Sequence, residues 1–131
     1  MRVFEIMRRV IYADTDKMGV VYHSNYLRWF EMGRTEMLRE LGIPYTEIEA
    51  AGYNLPASEV FCKYLTPARY DDLLCIKTCV DEIRNASVRF GYRISDEKSG
   101  DIVVTGYTLH ACVDDTGKII RLPSFLKDAL Q

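Results

Sequence analysis

One segment of this chain, from about Ser24 to Leu41, carries apolar residues at helical spacing over enough length to make a full helix. Tyr26, Leu27, Phe30, Gly33, Met37, Leu38 and Leu41 recur at three- and four-residue steps and form one broad apolar stripe. Arg28, Glu31, Arg34, Thr35, Arg39 and Glu40 fall on the other faces. The spacing predicts a helix that starts near His23 or Ser24, with Ser24 at the N-cap position, and runs about five turns. Gly42 ends it as the residue just past the C-terminus, and Pro44 prevents it from resuming. A lone amphipathic helix has no second helix on which to bury its stripe, so its partner must be a sheet. Gly33, in mid-helix, costs about 1 kcal/mol relative to alanine. It marks a close approach by a strand or by a partner helix.

The remainder of the chain supplies that sheet. Residues 3–13 mix Val, Phe, Ile and Tyr with Arg and Glu and read as a strand. Residues 15–21 read as a loop turning at Gly19, and residues 45–52 as a short helical turn. Strands are expected over 53–66, closing at Pro67, and over 73–84, 87–94, 102–113 and 118–121. The clearest alternation is at 87–94, where Val88, Phe90, Tyr92 and Ile94 interleave with Ser87, Arg89, Gly91 and Arg93. Asp114 to Lys118 reads as a hairpin loop, and a helical turn follows Pro123. Short connections favour antiparallel pairing. The expected architecture is a two-layer α+β domain over residues 1–131, one helix against one antiparallel sheet.

Composition narrows the function. The net charge is −2 and the pI about 5.7, so the basic footprint of a nucleic-acid-binding protein is absent. The apolar runs are too short to cross a membrane as helices. Charges at the N-terminus stand where a signal peptide would need an apolar core, so a cytoplasmic protein is expected. Cys62, Cys75, Cys79 and Cys112 include no Cys-x-x-Cys pair, and His23 and His110 are the only histidines. The cysteines therefore read as reduced, small apolar residues rather than as zinc ligands.

The chemistry-bearing stretch lies just before the helix. Asp14 and Asp16 precede the Gly19 turn, and the helix start follows within a few residues. A helix start offers unpaired backbone N–H groups and a positive dipole end. A carboxylate seven residues upstream of it can fold back over that end. The combination suits a reaction in which negative charge develops on a carbonyl oxygen. An isolated Asp in such a loop is ordinarily a turn former, and Asp14 reads as structural. Trp29 and Phe30 read as core or interface residues, and His110 as an ordinary strand residue.

The run Asp-Thr-Asp-Lys-Met-Gly-Val-Val-Tyr-His-Ser-Asn-Tyr-Leu-Arg-Trp-Phe-Glu, residues 14–31, resembles the signature of the 4-hydroxybenzoyl-CoA thioesterase family of hotdog-fold proteins. With His23 in place it looks most like the Tol-Pal-associated acyl-CoA thioesterase branch. The likeness continues through Pro67-Ala-Arg-Tyr-Asp-Asp-Leu and the Asp-x-x-Gly-Lys hairpin. It implies an antiparallel sheet wrapped around one long helix, and hydrolysis of acyl-CoA thioesters without a metal or redox cofactor. It implies that Asp16 is the catalytic carboxylate and that the backbone N–H of His23 polarises the thioester carbonyl, with some contribution from the His23 ring. Tyr22, Asn25 and Tyr26 would shape the pocket, with core packing an equal alternative for the two tyrosines. Arg84 and Ser87 would lie where the family places part of its CoA site, although its basic cluster is only partly present as Arg84-Asn85-Ala86. Dimers with joined sheets, paired into tetramers, are implied as well. A non-catalytic acyl-CoA or acyl-carrier binding protein and a hotdog dehydratase are the alternatives.

Overall fold

The computed structural model describes residues 2–131; Met1, the first residue of the domain expected over 1–131, lies outside them. Strand β1 is Val3–Arg9, helix α1 Asn25–Glu40 and helix α2 Tyr45–Ala50. Strands β2 Ala57–Tyr64, β3 Leu73–Ile83, β4 Ser87–Asp96 and β5 Ile102–Ala111 follow, and helix α3, Ser124–Leu130, comes last. The five strands form one sheet in the order β1-β3-β4-β5-β2, every neighbouring pair antiparallel. Helix α1 lies across one face of this sheet, the α+β hotdog arrangement that the resemblance implies.

The core forms where the two periodicities meet. Along β4, Val88, Phe90, Tyr92 and Ile94 are buried, as their alternation predicts. Along α1 the buried residues are Asn25, Tyr26, Trp29, Phe30, Gly33, Met37 and Leu38. Leu27, expected in the stripe, is 37% exposed, and Trp29 takes its place at 2%. Leu27 sits about 100° round the helix from Tyr26, off the face that the sheet covers. Each large side chain buried here contributes roughly 1.5–3 kcal/mol relative to exposure. Phe30 stacks on Tyr92 with ring centroids 4.2 Å apart.

Gly33 marks the contact with a strand rather than with a partner helix. A Cβ at this position would run into Thr78 Oγ1 and lie 3.2 Å from Ile76 Cγ2, so the helix backbone rests directly on β3. Other expectations shift at their edges. The strand expected over 3–13 stops at Arg9, and a 3₁₀ turn at Tyr12–Asp14 follows. The strand expected over 118–121 is reduced to one bridge, Ile119 with Val113. Strand β2 begins only at Ala57 and forms an edge of the sheet, with Val60, Phe61 and Tyr64 nearly half exposed.

A polar chain runs through the core beside α1. His110 is buried, its Nδ1 2.7 Å from the Leu55 carbonyl oxygen and its Nε2 2.8 Å from Thr108 Oγ1. Thr108 Oγ1 is in turn 2.6 Å from the Tyr92 hydroxyl, which Arg34 Nη1 approaches at 3.5 Å. A carbonyl only accepts, so Nδ1 carries the proton. In a neutral ring Nε2 then accepts from Thr108, and Thr108 accepts from Tyr92. Burial pulls the His110 pKa below the ordinary histidine value and the Arg34 charge adds to this, while the Leu55 hydrogen bond works the other way. The unfolded chain takes up this proton near pH 6.5, and the folded chain resists it until lower pH. Stability from this group is therefore complete above about pH 6.5 and is lost as pH falls below that value. Urea midpoints at pH 7.5 and 5.5 should fall further with acid in the parent chain than in His110→Gln. Equal acid losses in the two proteins would refute this.

Candidate active site

The loop before α1 is a miniature hairpin. Asp16 N–H donates to the Val20 carbonyl at 2.8 Å and Tyr22 N–H to the Asp14 carbonyl at 2.9 Å, with Thr15 bridging Val21 between them. Gly19 N–H closes the turn onto the Asp16 carbonyl at 3.0 Å, and its φ of +80° is the left-handed backbone that glycine adopts without strain. This pairing brings the segment carrying Asp16 back alongside the residues leading into α1. Met18 N–H donates to Asp16 Oδ1 at 2.8 Å. Oδ2 of Asp16 has no hydrogen-bond partner among the described residues. Asp16 is thus a turn former through one oxygen and an uncommitted carboxylate through the other.

Asp14 differs. It is 6% exposed. Its Oδ2 accepts from Ile11 N–H at 2.9 Å and pairs with Arg8 Nη2 at 3.3 Å. The Arg8 guanidinium also lies 5.8 Å from the centre of the Trp29 ring. The Asp14 carbonyl accepts from Asn25 Nδ2 at 2.8 Å as well as from Tyr22 N–H. Arg8 on β1, Asp14 in the loop and Asn25 on α1 thereby tie three elements into one corner, and both Asp14 oxygens are occupied.

Helix α1 begins at Asn25, one to two residues later than the sequence suggests. Ser24 stands at the N-cap with φ −73° and ψ −18°, but its side chain makes no capping bond. The backbone N–H groups of His23 and Ser24 have no acceptor among the described residues, so they stand unspent at the positive end of the helix. The imidazole of His23 is exposed and lies against Tyr22, ring centroids 4.4 Å apart. The Tyr64 hydroxyl donates to the His23 carbonyl at 3.1 Å.

The residues expected around the pocket divide into three groups. Tyr22 is exposed beside His23. Asn25 and Tyr26 face inward instead of lining an open pocket: Asn25 anchors the loop, and Tyr26 packs edge-on against Trp29 with its hydroxyl pushed up to about 12 by burial. Arg84 and Ser87 are not brought to the helix start within one chain. They flank the turn between β3 and β4, where Arg84 N–H donates to the Ser87 carbonyl. Ser87 pairs with Ala111 and Tyr64 with Val104. Seven residues of β5 separate those positions, roughly 24 Å at the rise of a strand. Tyr64, absent from the expectations, does reach the site. It lies 41 residues from His23 on an edge strand, and no local motif announces it.

A groove of about 220 Å³ runs between α1 and β2, lined by Leu27, Glu31, Arg34, Ala57, Val60 and Thr108. Leu27 is one turn along α1 from His23, and Val60 shares a strand face with Tyr64, so the groove leads away from the helix start. Among the described residues no group of three His, Cys, Asp or Glu side chains is placed to hold a metal ion, and no helix is long and apolar enough to cross a membrane. All four cysteines are free thiols; Cys75 and Cys112 are buried, Cys62 and Cys79 partly so.

The fold is that of a hotdog protein, with a hairpin leading into the long helix and carrying a carboxylate with one free oxygen. The thioesterase-like superfamily model matches residues 10–130. The acyl-CoA thioesterase YbgC of Haemophilus influenzae is 33% identical over 129 residues, covering 96% of this chain and 93% of that protein. The putative acyl-CoA thioesterase YneP of Bacillus subtilis is 34% identical over 105 residues, 80% of this chain and 75% of that one. A hypothetical protein of Aquifex aeolicus superposes with a TM-score of 0.92 at 33% identity, covering 98% and 99% of the two chains. The chain belongs to the thioesterase-like hotdog superfamily.

The corner at Asn25 yields a test. Asn25→Ala removes the buried amide that holds the Asp14 carbonyl, at an expected cost of about 1–3 kcal/mol. Denaturant unfolding should show that loss, and hydrogen exchange should speed up at the Asp16 and Tyr22 amides. Unchanged stability with unchanged exchange would remove Asn25 from this role.

Proposed function

We propose that this chain hydrolyses acyl-CoA thioesters to the free acid and CoA thiol. Two observations carry this reading: an Asp16 oxygen left without a partner in the hairpin, and two unspent amides where the same segment enters α1. Relatives named as acyl-CoA thioesterases support the substrate class, and the Tol-Pal-associated branch rests on the resemblance of residues 14–31. A cytoplasmic location fits this reading.

The chemistry follows from the groups present. A thioester carbonyl is electrophilic, and a thiolate leaves readily. The enzyme has to deliver a nucleophile and hold the oxyanion. The His23 N–H serves as the oxyanion donor. Asp16 serves the first task by either of two routes. It takes a proton from an attacking water, and collapse of the tetrahedral oxyanion expels the CoA thiolate. Alternatively it attacks the carbonyl itself, expelling thiolate to leave a mixed anhydride that water then cleaves.

A second subunit completes the site in this reading. β2 is an edge strand with an unpaired side, which proteins pair or protect. Antiparallel pairing of β2 with its copy across a two-fold axis turns the partner's sheet end for end. The partner's turn at Arg84 and Ser87 then lies at the His23 end of this protomer, where it is available to the CoA moiety. The dimer is the functional unit, and a tetramer is a pair of such dimers. Light scattering at micromolar concentration should give a dimer or tetramer mass; a monomer would refute it.

Thiol release from a panel of acyl-CoAs tests the reaction. Asp16→Asn keeps the shape of the side chain but loses its charge and basicity. It should lower kcat by at least about 10²-fold with a much smaller change in KM. His23→Ala keeps the amide and should be milder. A wild-type protein that binds acyl-CoA but releases no thiol is a binding module, and one that dehydrates 3-hydroxyacyl groups without releasing thiol is a dehydratase. An active Asp16→Asn would exclude the assigned carboxylate.

A further inference from the structure

We propose that Tyr64 is a positioning residue for a pair of oxyanion donors, the adjacent amides of His23 and Ser24. The inference rests on the thioesterase reading above and adds to it a second donor and the side chain that aims it.

Each N–H shares a planar unit with the preceding carbonyl. The unit carrying the His23 N–H has the Tyr22 carbonyl at its other end, and that carbonyl accepts from Asn25 N–H at 2.9 Å. The unit carrying the Ser24 N–H has the His23 carbonyl at its other end, and that carbonyl accepts from the Tyr64 hydroxyl at 3.1 Å. A hydrogen bond accepted at the oxygen polarises the unit and strengthens its N–H as a donor. Of the amides that follow, Asn25 N–H is committed to the Tyr22 carbonyl and Leu27 N–H to the Ser24 carbonyl at 3.2 Å, while Tyr26 N–H belongs to a buried residue in the first turn. His23 and Ser24 are neighbouring free donors, each backed from behind, and they offer a tetrahedral oxyanion two contacts instead of one.

Tyr64 is held for this task. Pairing with Val104 turns its side chain to the helix-facing side of β2. Its ring lies 5.7 Å from that of Tyr26 and 6.4 Å from that of His23, centroid to centroid. Burial raises the Tyr64 pKa, so the hydroxyl keeps its proton and remains a donor. The residue is 49% exposed, so loss of the hydroxyl opens no core cavity.

Tyr64→Phe keeps the ring and removes only the hydroxyl. It should lower kcat about 10-fold, less than loss of a direct donor, with KM within about two-fold of wild type. The Ser24 amide proton should move upfield while the melting temperature stays put. Incorporating 3-fluorotyrosine at position 64 supplies a more acidic hydroxyl and should move the Ser24 amide the other way, a response that ring packing alone does not produce. Should Tyr64→Phe fail to fold, the fluorinated protein carries the test by itself. Wild-type activity that Asp16→Asn abolishes but Tyr64→Phe leaves intact overturns the inference and spares the thioesterase reading. A Ser24 amide that does not respond to fluorination overturns it too. No thiol release from the wild type overturns both.

Discussion

The seating of α1 on the sheet is the contact on which everything else in this molecule depends. The helix is long enough to need a broad partner, and Gly33 lets its backbone come down onto Ile76 and Thr78 of β3. Phe30 then stacks on Tyr92, and Met37 and Leu38 close the far end. Once the helix is pinned at that height, its first turn is fixed relative to the sheet. The free amides at His23 and Ser24 therefore have a set place and direction. A rise of one side-chain layer would lift them away from Tyr64 and from the loop that carries Asp16.

The loop is fixed by a second device, independent of the core. Arg8, Asp14 and Asn25 come from β1, the loop and α1, and their hydrogen bonds converge on one corner. The division of labour between the two acidic residues follows from their surroundings. Asp14 is buried with both oxygens occupied, which suits a strut. Asp16 spends one oxygen on its own turn and keeps the other free, which suits chemistry. Two carboxylates two residues apart thus differ in their surroundings because the hairpin turns one inward and leaves the other half-exposed beside its turn.

The edge strand β2 links the site to assembly. Its helix-facing side chains build one wall of the groove and deliver the Tyr64 hydroxyl, while its outer backbone edge is unpaired in the single chain. In the proposed dimer one strand therefore serves the chemistry and the subunit contact together. In that proposed dimer Arg84 and Ser87, at the far end of their own sheet, would stand at the His23 end of the partner's.

The sequence alone determined the features that depend on local periodicity and backbone conformation. The stripe of α1 with its Gly42 and Pro44 stop, the alternation at 87–94 and the turn at Gly19 are all set by near neighbours, and the Asp14–Glu31 run carries the family resemblance. Its stripe included Leu27, which is exposed, while Trp29, read as a core or interface residue, is buried, because the exact face that a sheet covers is a property of the sheet. Contacts between residues distant in the chain leave no periodic trace, and only the tertiary structure decided them. Tyr64 reaches His23 across 41 residues, and Arg34, Tyr92, Thr108 and His110 form a directed polar chain from one helix and two strands. Asn25 turned out to be a loop anchor for the same reason: its partner is a backbone carbonyl that comes within reach only when the loop folds back over the start of the helix.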